Sequence, residues 1–232
     1  MCGRFVLATP VSELQRAFGF ADAPNLPARY NVAPTQDVAV VTAADGGGRA
    51  LTAMRWGLVP FWAADPSVGA RMINARGETV AEKPAFRTAF RQRRCLVPAD
   101  GFYEWLVAGR AKRPFLIRRT DRAPLAFAGL WEVWRGPKAG PALDPPLRSV
   151  TIVTTAANDD LRHLHDRMPV ILDAGGQAAW LDPAATVGTV AALVRAAPSG
   201  LLDAVAVSTR VNAVRNDDPS LLEPEADDAR LL

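Results

Sequence analysis

Cys2 and Cys95 are the only cysteines in the chain, and Cys2 stands one residue from the start of the sequence. A cysteine at a freed amino terminus carries an α-amine and a thiol on adjacent carbons. An aldehyde condenses with that amine to an imine, and the thiol then closes a five-membered thiazolidine; no internal residue offers the pair. The α-amine has a reference pKa near 7.8 against about 10.4 for lysine, so far more of it is neutral and nucleophilic at neutral pH. A free thiol near pKa 8.5 is also partly ionised there. The chemistry requires loss of Met1, which cells commonly remove ahead of a small residue. A bare Met1-Cys2 start is equally compatible with an inert, tolerated cysteine.

The other reactive residues are few. His163 and His165 are the only histidines, and histidine suits proton shuttling near neutrality. Glu104 lies between Tyr103 and Trp105 in an apolar run, where a partly desolvated carboxylate suits acid–base work. Cys2, Cys95, His163 and His165 are four potential metal ligands, but no Cys-x-x-Cys spacing exists and no metal is expected. Gly46-Gly47-Gly48 is not followed by Lys-Ser/Thr, so no phosphate-cradling loop is read. No cofactor is implied.

These groups need a scaffold, and 232 residues with 49% apolar and 22% charged side chains can supply one. That balance excludes a disordered chain. No apolar run approaches the ~20 residues that span a bilayer, and Pro10 interrupts the one N-terminal candidate, so neither a membrane span nor a signal peptide is expected. Two cysteines make no disulfide framework, consistent with a cytoplasmic protein. The net charge is only +3, yet residues 71–122 hold 13 Lys/Arg against 5 acids, while residues 196–232 hold 7 acids against 3 arginines. A basic middle suits a polyanion; GC-rich coding, with 24 Arg to 3 Lys, produces the same bias.

Thr9 reads as an N-cap and Pro10 as the first residue of a helix, with Val11, Leu14 and Phe18 as its stripe and Gly19 as its end. A second helix is expected over 84–93, with Phe86 and Phe90 on one face and Arg87, Arg91 and Arg94 on another. Strands are expected at 37–42, 50–56, 95–97, 102–107, 114–118, 125–134, 150–155, 169–172 and 204–208, and helices near 175–180 and 183–196. Pro137, Pro141, Pro145 and Pro146 make 136–147 a surface loop, Asn158 caps a helical turn, and 110–113 reads as a solvated hairpin turn. Strands and helices do not alternate strictly. The expected fold is α+β: one domain over 1–220 with mainly antiparallel sheets closing into a barrel-like core flanked by short helices, then an acidic tail over 221–232.

Six motifs occur in order: Met1-Cys2-Gly3-Arg4-Phe5; Tyr30-Asn31-Val32-Ala33-Pro34; Arg55-Trp56-Gly57-Leu58-Val59-Pro60-Phe61-Trp62; Ile73-Asn74-Ala75-Arg76-Gly77-Glu78-Thr79; Cys95-Leu96-Val97-Pro98-Ala99-Asp100-Gly101-Phe102-Tyr103-Glu104-Trp105; and His165-Asp166-Arg167-Met168-Pro169. Together, from Cys2 to about Pro219, they resemble the SOS response-associated peptidase (SRAP) family of abasic-site processing proteins. The resemblance implies trapping of the ring-opened sugar aldehyde of an abasic site in single-stranded DNA as a thiazolidine on Cys2, shielding the lesion during the DNA damage response. It implies that Asn74 holds the N-terminal residue and linked sugar, that Glu104 is the carboxylate at the lesion, and that His165 assists ring opening and cross-link reversal. Arg4 and Arg76 match phosphate-facing positions, Lys83 and Arg87 extend that track, Pro34 and Thr154 match cleft-lining positions, and Trp62 suits stacking on an unpaired base. Trp56 reads rather as core. Of Arg118 and Arg119, on opposite sheet faces, at most one joins the track. His163 matches no motif position. The expected partner is single-stranded DNA carrying abasic sites, met by a monomer that is nucleoid-associated when bound.

Rival readings remain at this point. Glutamine amidotransferases also begin Met-Cys-Gly, and an N-terminal-nucleophile hydrolase would use the Cys2 thiol on an amide; it would need a histidine in the first hundred residues, and none precedes His163. A Cys2–His165 thiol peptidase, including self-removal of Met1, is carried by the family's own name. A non-covalent single-strand binder would keep full function without Cys2.

Overall fold

The computed structural model describes residues 2–22, 24–44, 46–109 and 111–225. Met1, Arg110 and most of the acidic tail therefore lie outside the described residues. In chain order the elements are β1 (Phe5–Leu7), α1 (Val11–Phe18), β2 (Arg29–Val32), β3 (Asp37–Ala43), β4 (Arg49–Trp56), β5 (Asn74–Arg76), α2 (Arg87–Gln92), β6 (Arg94–Ala99), β7 (Gly101–Ala108), β8 (Ala111–Arg119), β9 (Leu125–Trp134), β10 (Leu147–Ala156), β11 (Arg167–Pro169), α3 (Ala174–Leu181), α4 (Val187–Ala192) and β12 (Leu202–Ala206). Short 3₁₀ turns cover Pro66–Arg71, Gly77–Thr79, Thr209–Asn212 and Pro219–Leu222.

Five strands close on themselves in the order β10, β4, β3, β6, β9 and back to β10. All contacts in this ring are antiparallel except β10 with β4. Closure follows from sequence: β6 is buried along its whole length and β9 along most of it, so neither can serve as a solvated edge. A second sheet, ordered β12-β8-β7-β1-β2, is antiparallel throughout. Within it β1, which begins three residues after Cys2, lies between β2 and β7 with neighbours on both sides. Phe5 of β1 packs on Trp56 at 5.1 Å and Phe127 at 6.3 Å, and Phe102 meets Phe127 at 5.8 Å. These rings join sheet to barrel, each pair adding about 1 kcal/mol beyond its buried area. The result is the expected α+β domain of mainly antiparallel sheets around a barrel.

Local readings differ in instructive places. Thr9 does not cap α1: its hydroxyl donates to Asp100 at 2.6 Å, and Pro10 occupies the cap position with no side-chain bond. Gly19 ends the helix as expected, at φ 70°. The helix expected over 84–93 starts only at Arg87, and the one over 183–196 shrinks to Val187–Ala192. The strand expected at 169–172 pairs instead at Arg167–Pro169, and the last strand runs Leu202–Ala206. Lys112 and Arg113 belong to β8 rather than to the turn. Arg94 leaves the basic face altogether. It is buried, and its guanidinium donates to the carbonyls of Phe90, Arg91, Trp180 and Asp182, tying α2 to α3.

Candidate functional site

Cys2 is completely buried. The side-chain amide of Asn74, the first residue of β5, donates to the Cys2 carbonyl at 2.8 Å. Asn74 is set there by a parallel ladder that pairs it with Ile152 of β10, so the residue next to the amino terminus is fastened to the barrel wall. The other Asn74 amide atom, Oδ1, is buried without a hydrogen-bond partner. An orphaned acceptor beside a candidate nucleophile is a place for an incoming N–H or O–H.

The Cys2 Sγ donates a long contact to the Arg4 carbonyl at 3.9 Å. Burial pushes this thiol well above its ordinary range, and the negative charge of Glu104 pushes it further. The partly ionised thiol expected of a free N-terminal cysteine is thus a neutral thiol in the fold. Burial raises Cys95 likewise. A group with a raised folded pKa holds its proton while the unfolded chain loses it, so the stability it contributes is full below the unfolded pKa and is lost above it. Unfolding midpoints in urea should therefore be level up to about pH 8 and fall beyond it, by at most about 1.4 kcal/mol per pH unit for each thiol. A midpoint that stays level to pH 10 would contradict buried, neutral cysteines.

Glu104 is reached along β7, directly after Tyr103, whose main-chain N–H donates to the Arg4 carbonyl at 2.9 Å. Its side chain is only 5% exposed. It opens with Arg4, Trp105, Lys112, His165 and Asn212 onto a cleft of about 420 Å³. His165 is about one-third exposed, and its Nδ1 accepts from the Arg167 main-chain N–H at 2.9 Å. The four candidate catalytic positions thus converge: Asn74 holds Cys2, Glu104 acts electrostatically on Cys2, and Glu104 shares its cleft with His165. Tyr103, beneath them, is likewise pushed up by burial, and its hydroxyl donates to the Tyr30 carbonyl at 2.8 Å.

The expected nucleic-acid contacts are less uniform. Arg76 in β5, Lys83 in the turns before α2 and Arg87 at the start of α2 are exposed. Trp62 is 44% exposed beside Phe61 at 53%, whereas Trp56 is fully buried and donates from its indole to the Ile73 carbonyl. Pro34 is half-buried at the turn after β2. Arg4 lines the cleft, but Nη1 already donates to Asn31 and to the Val211 carbonyl, both at 2.8 Å. Thr154 is fully buried and its carbonyl accepts from Arg167 at 2.8 Å; it supports a neighbour instead of lining the cleft. Arg118 and Arg119 are paired with Asp203 and Asp121, so neither stands open to a polyanion. His163 is exposed.

Several contributors escaped the sequence reading. Asn31 donates to the carbonyls of Val211, Ala213 and Asn216, and Asp217 accepts from the main chain of Tyr30 and Asn31. Together they clamp a stretch near the carboxyl end across β2. Arg167 and Glu78 form a two-pronged ion pair at 2.5 and 2.9 Å. Both lie inside motifs quoted above, and that position was the available signal. No group of three or more His, Cys, Asp or Glu among the described residues is placed to hold a metal, and no helix among them is long and apolar enough to cross a membrane.

A closed five-stranded ring with an antiparallel sheet, burying a near-terminal cysteine under an asparagine and beside a Glu–His cleft, defines an α+β domain organised around its own amino terminus. The chain belongs to the SOS response associated peptidase (SRAP) family, whose model it matches over residues 1–214. It is 38% identical over 228 residues to the abasic site processing protein YoqW of Bacillus subtilis, covering 96% of this chain and 99% of that one. It is 33% identical over 267 residues to the abasic site processing protein HMCES of Gallus gallus, covering 97% and 78%. Its fold is similar to that of a crystal structure from Bacteroides thetaiotaomicron, with TM-score 0.85, 23% identity and coverage of 97% and 100%.

Proposed function

We propose that this protein processes abasic sites in single-stranded DNA by forming a covalent thiazolidine through Cys2 once Met1 has been removed. The observation that carries this reading is the Asn74–Cys2 hydrogen bond, which holds the aminothiol beside the Glu104–His165 cleft. Relatives named as abasic site processing proteins over nearly the full chain support the substrate class. Residues 1–220 are the working unit.

The chemistry divides among the residues as follows. His165 moves a proton from the sugar's anomeric hydroxyl to its ring oxygen, opening the ring to the aldehyde. The neutral Cys2 amine adds to the aldehyde carbon. Glu104 takes the amine proton and returns one to the carbinolamine hydroxyl, which leaves as water and yields the imine. The Cys2 sulfur then adds to the imine carbon, its proton passing to nitrogen, and the five-membered ring is closed. One water is lost overall and nothing is oxidised. Asn74 Oδ1 accepts from the amine or a sugar hydroxyl in this scheme. The amine acts first because ring closure needs the imine carbon as its electrophile; a thiol peptidase would instead need the thiolate at the outset. Exposed Arg76, Lys83 and Arg87 take backbone phosphates, and Trp62 stacks on a neighbouring base.

The test is a denaturing gel of the protein with abasic single-stranded DNA. A denaturation-resistant adduct should form, far less should form with intact DNA, and none should form when a blocking group is kept ahead of Cys2. An undiminished adduct from the blocked protein would refute the N-terminal mechanism.

A further inference from the structure

β7 has a partner along the whole of one edge and along only part of the other. β8 pairs with it from Gly101 to Ala108. β1 reaches only to Phe102, followed by one further bond from the Tyr103 N–H to the Arg4 carbonyl. Past that point no strand among the described residues pairs with this edge. The main-chain groups of alternate residues in an antiparallel strand point the same way, so those of Trp105 and Val107 follow Tyr103 toward the open side. The facing strand agrees. Pro114, opposite Trp105, has no N–H, and its carbonyl accepts from Val207 at 3.1 Å on the far side. Trp105 therefore exchanges no main-chain bond with β8.

This bare edge is a wall of the Glu104–His165 cleft, which Trp105 and Val107 both line. Only those residues point outward before the hairpin turns at Gly109, too short a stretch to seat an added peptide strand. The side chains beside it suit an anion instead. Lys112, opposite Val107 on β8, is exposed and lines the same cleft. Asn212 lines it too, and the Trp105 indole donates to its side chain at 2.7 Å. An indole N–H only donates, so the atom it meets is the amide oxygen, and the amide nitrogen with its two N–H is what Asn212 offers the cleft. The turn that carries Asn212 is anchored by Arg4, whose guanidinium donates to the Val211 carbonyl at 2.8 Å and to the Asn212 carbonyl at 3.4 Å. Lysine, asparagine and main-chain N–H groups are the usual donors to nucleic-acid phosphates.

We propose that this wall is a phosphate subsite: the N–H groups of Trp105 and Val107, the Lys112 ammonium and the Asn212 amide receive a backbone phosphate beside the lesion. Its place at a lesion rests on the reading that Cys2 captures an abasic site. Cys2 is held from β5 through Asn74, and Arg4 is held from β7 through Tyr103. A strand crossing Cys2 thus has one flanking phosphate on the Arg76 side and the other at the open edge of β7.

Lys112→Gln and Asn212→Asp in the full chain test it; the aspartate keeps the oxygen that Trp105 needs and replaces the donor with a charge of the wrong sign. Binding is measured to single strands carrying an unreactive tetrahydrofuran abasic analogue. Lys112→Gln should weaken it by about threefold and lower the salt slope by about 0.7, the share of one phosphate on a single strand. Asn212→Asp should weaken it by about tenfold. A neutral methylphosphonate in place of one flanking phosphate then identifies the contact. On the flank that Lys112 reads, it should weaken binding by the unaltered protein and add almost nothing to Lys112→Gln; on the other flank it should act in full on both. An unchanged salt slope in Lys112→Gln, or full penalties on both flanks in both proteins, would overturn the subsite. If the unaltered protein forms no adduct with reactive abasic DNA, the abasic-site reading fails, and the salt slope on plain single strands still decides whether Lys112 meets phosphate.

Discussion

Cys2→Ala protein should yield no adduct that survives heat and detergent, a loss of at least about a hundredfold, the scale expected when a covalent nucleophile is removed. The variant keeps the α-amine, so the first half of the scheme remains open to it. Imine formation should persist and be trapped by borohydride, but without the sulfur the imine hydrolyses on denaturation. The alanine side chain fills part of the space of a fully buried thiol, so the fold should lose only about 1–2 kcal/mol. This combination separates the proposed mechanism from its rivals. A non-covalent single-strand binder would keep full function, and a thiol hydrolase would lose everything, including the borohydride-trapped species. A stable adduct from Cys2→Ala would remove the thiazolidine from consideration.

Gly57→Ala should be severely destabilising. Gly57 has φ +126°, and a Cβ there would lie 2.5 Å from the Gly69 carbonyl oxygen and 2.9 Å from its carbon. Neither side can yield: the Gly57 N–H donates to the Val150 carbonyl at 2.8 Å, and a Cβ added at Gly69 would in turn lie 2.5 Å from the Gly57 carbonyl oxygen. Backbone strain and overlap together should cost about 4 kcal/mol or more, lowering Tm by about 10 °C in a domain of this size. Gly47→Ala is the control, since its φ of +91° is similar but nothing lies within 4 Å of the added carbon; strain alone should cost about 1 kcal/mol. Equal melting points for the two variants would show that the approach of Gly57 to Gly69 is not tight. The Arg55-to-Trp62 motif is thus explained in part by packing: Trp56 fills the core and Gly57 admits another backbone, while only its aromatic end faces solvent.

The long strands were legible because they carry period-two or wholly apolar runs; Leu125–Trp134 was read to the residue. β1, β2 and β5 were not, since three or four residues establish no period, yet β1 positions Cys2 and β5 positions Asn74. The residues to which the proposed chemistry is assigned, Cys2, Asn74, Glu104 and His165, stand out in the sequence by type and motif. Charge was legible only as a sum. The sequence does not say which arginines find partners inside the fold, and the answer removes Arg94, Arg118 and Arg119 while leaving Arg76 and Arg87 exposed. Thr154 likewise turns inward: it is fully buried, with its hydroxyl near the Ala75 carbonyl and the Arg167 guanidinium.

The strand that follows Cys2 is an interior member of its sheet, with a ladder on each edge. On the proposed chemistry, a captured nucleotide is welded to a thread already woven into the fabric. Tension on the DNA would load both ladders in shear, so a protease or unfoldase sent to clear the lesion must unravel the sheet before it can release the strand.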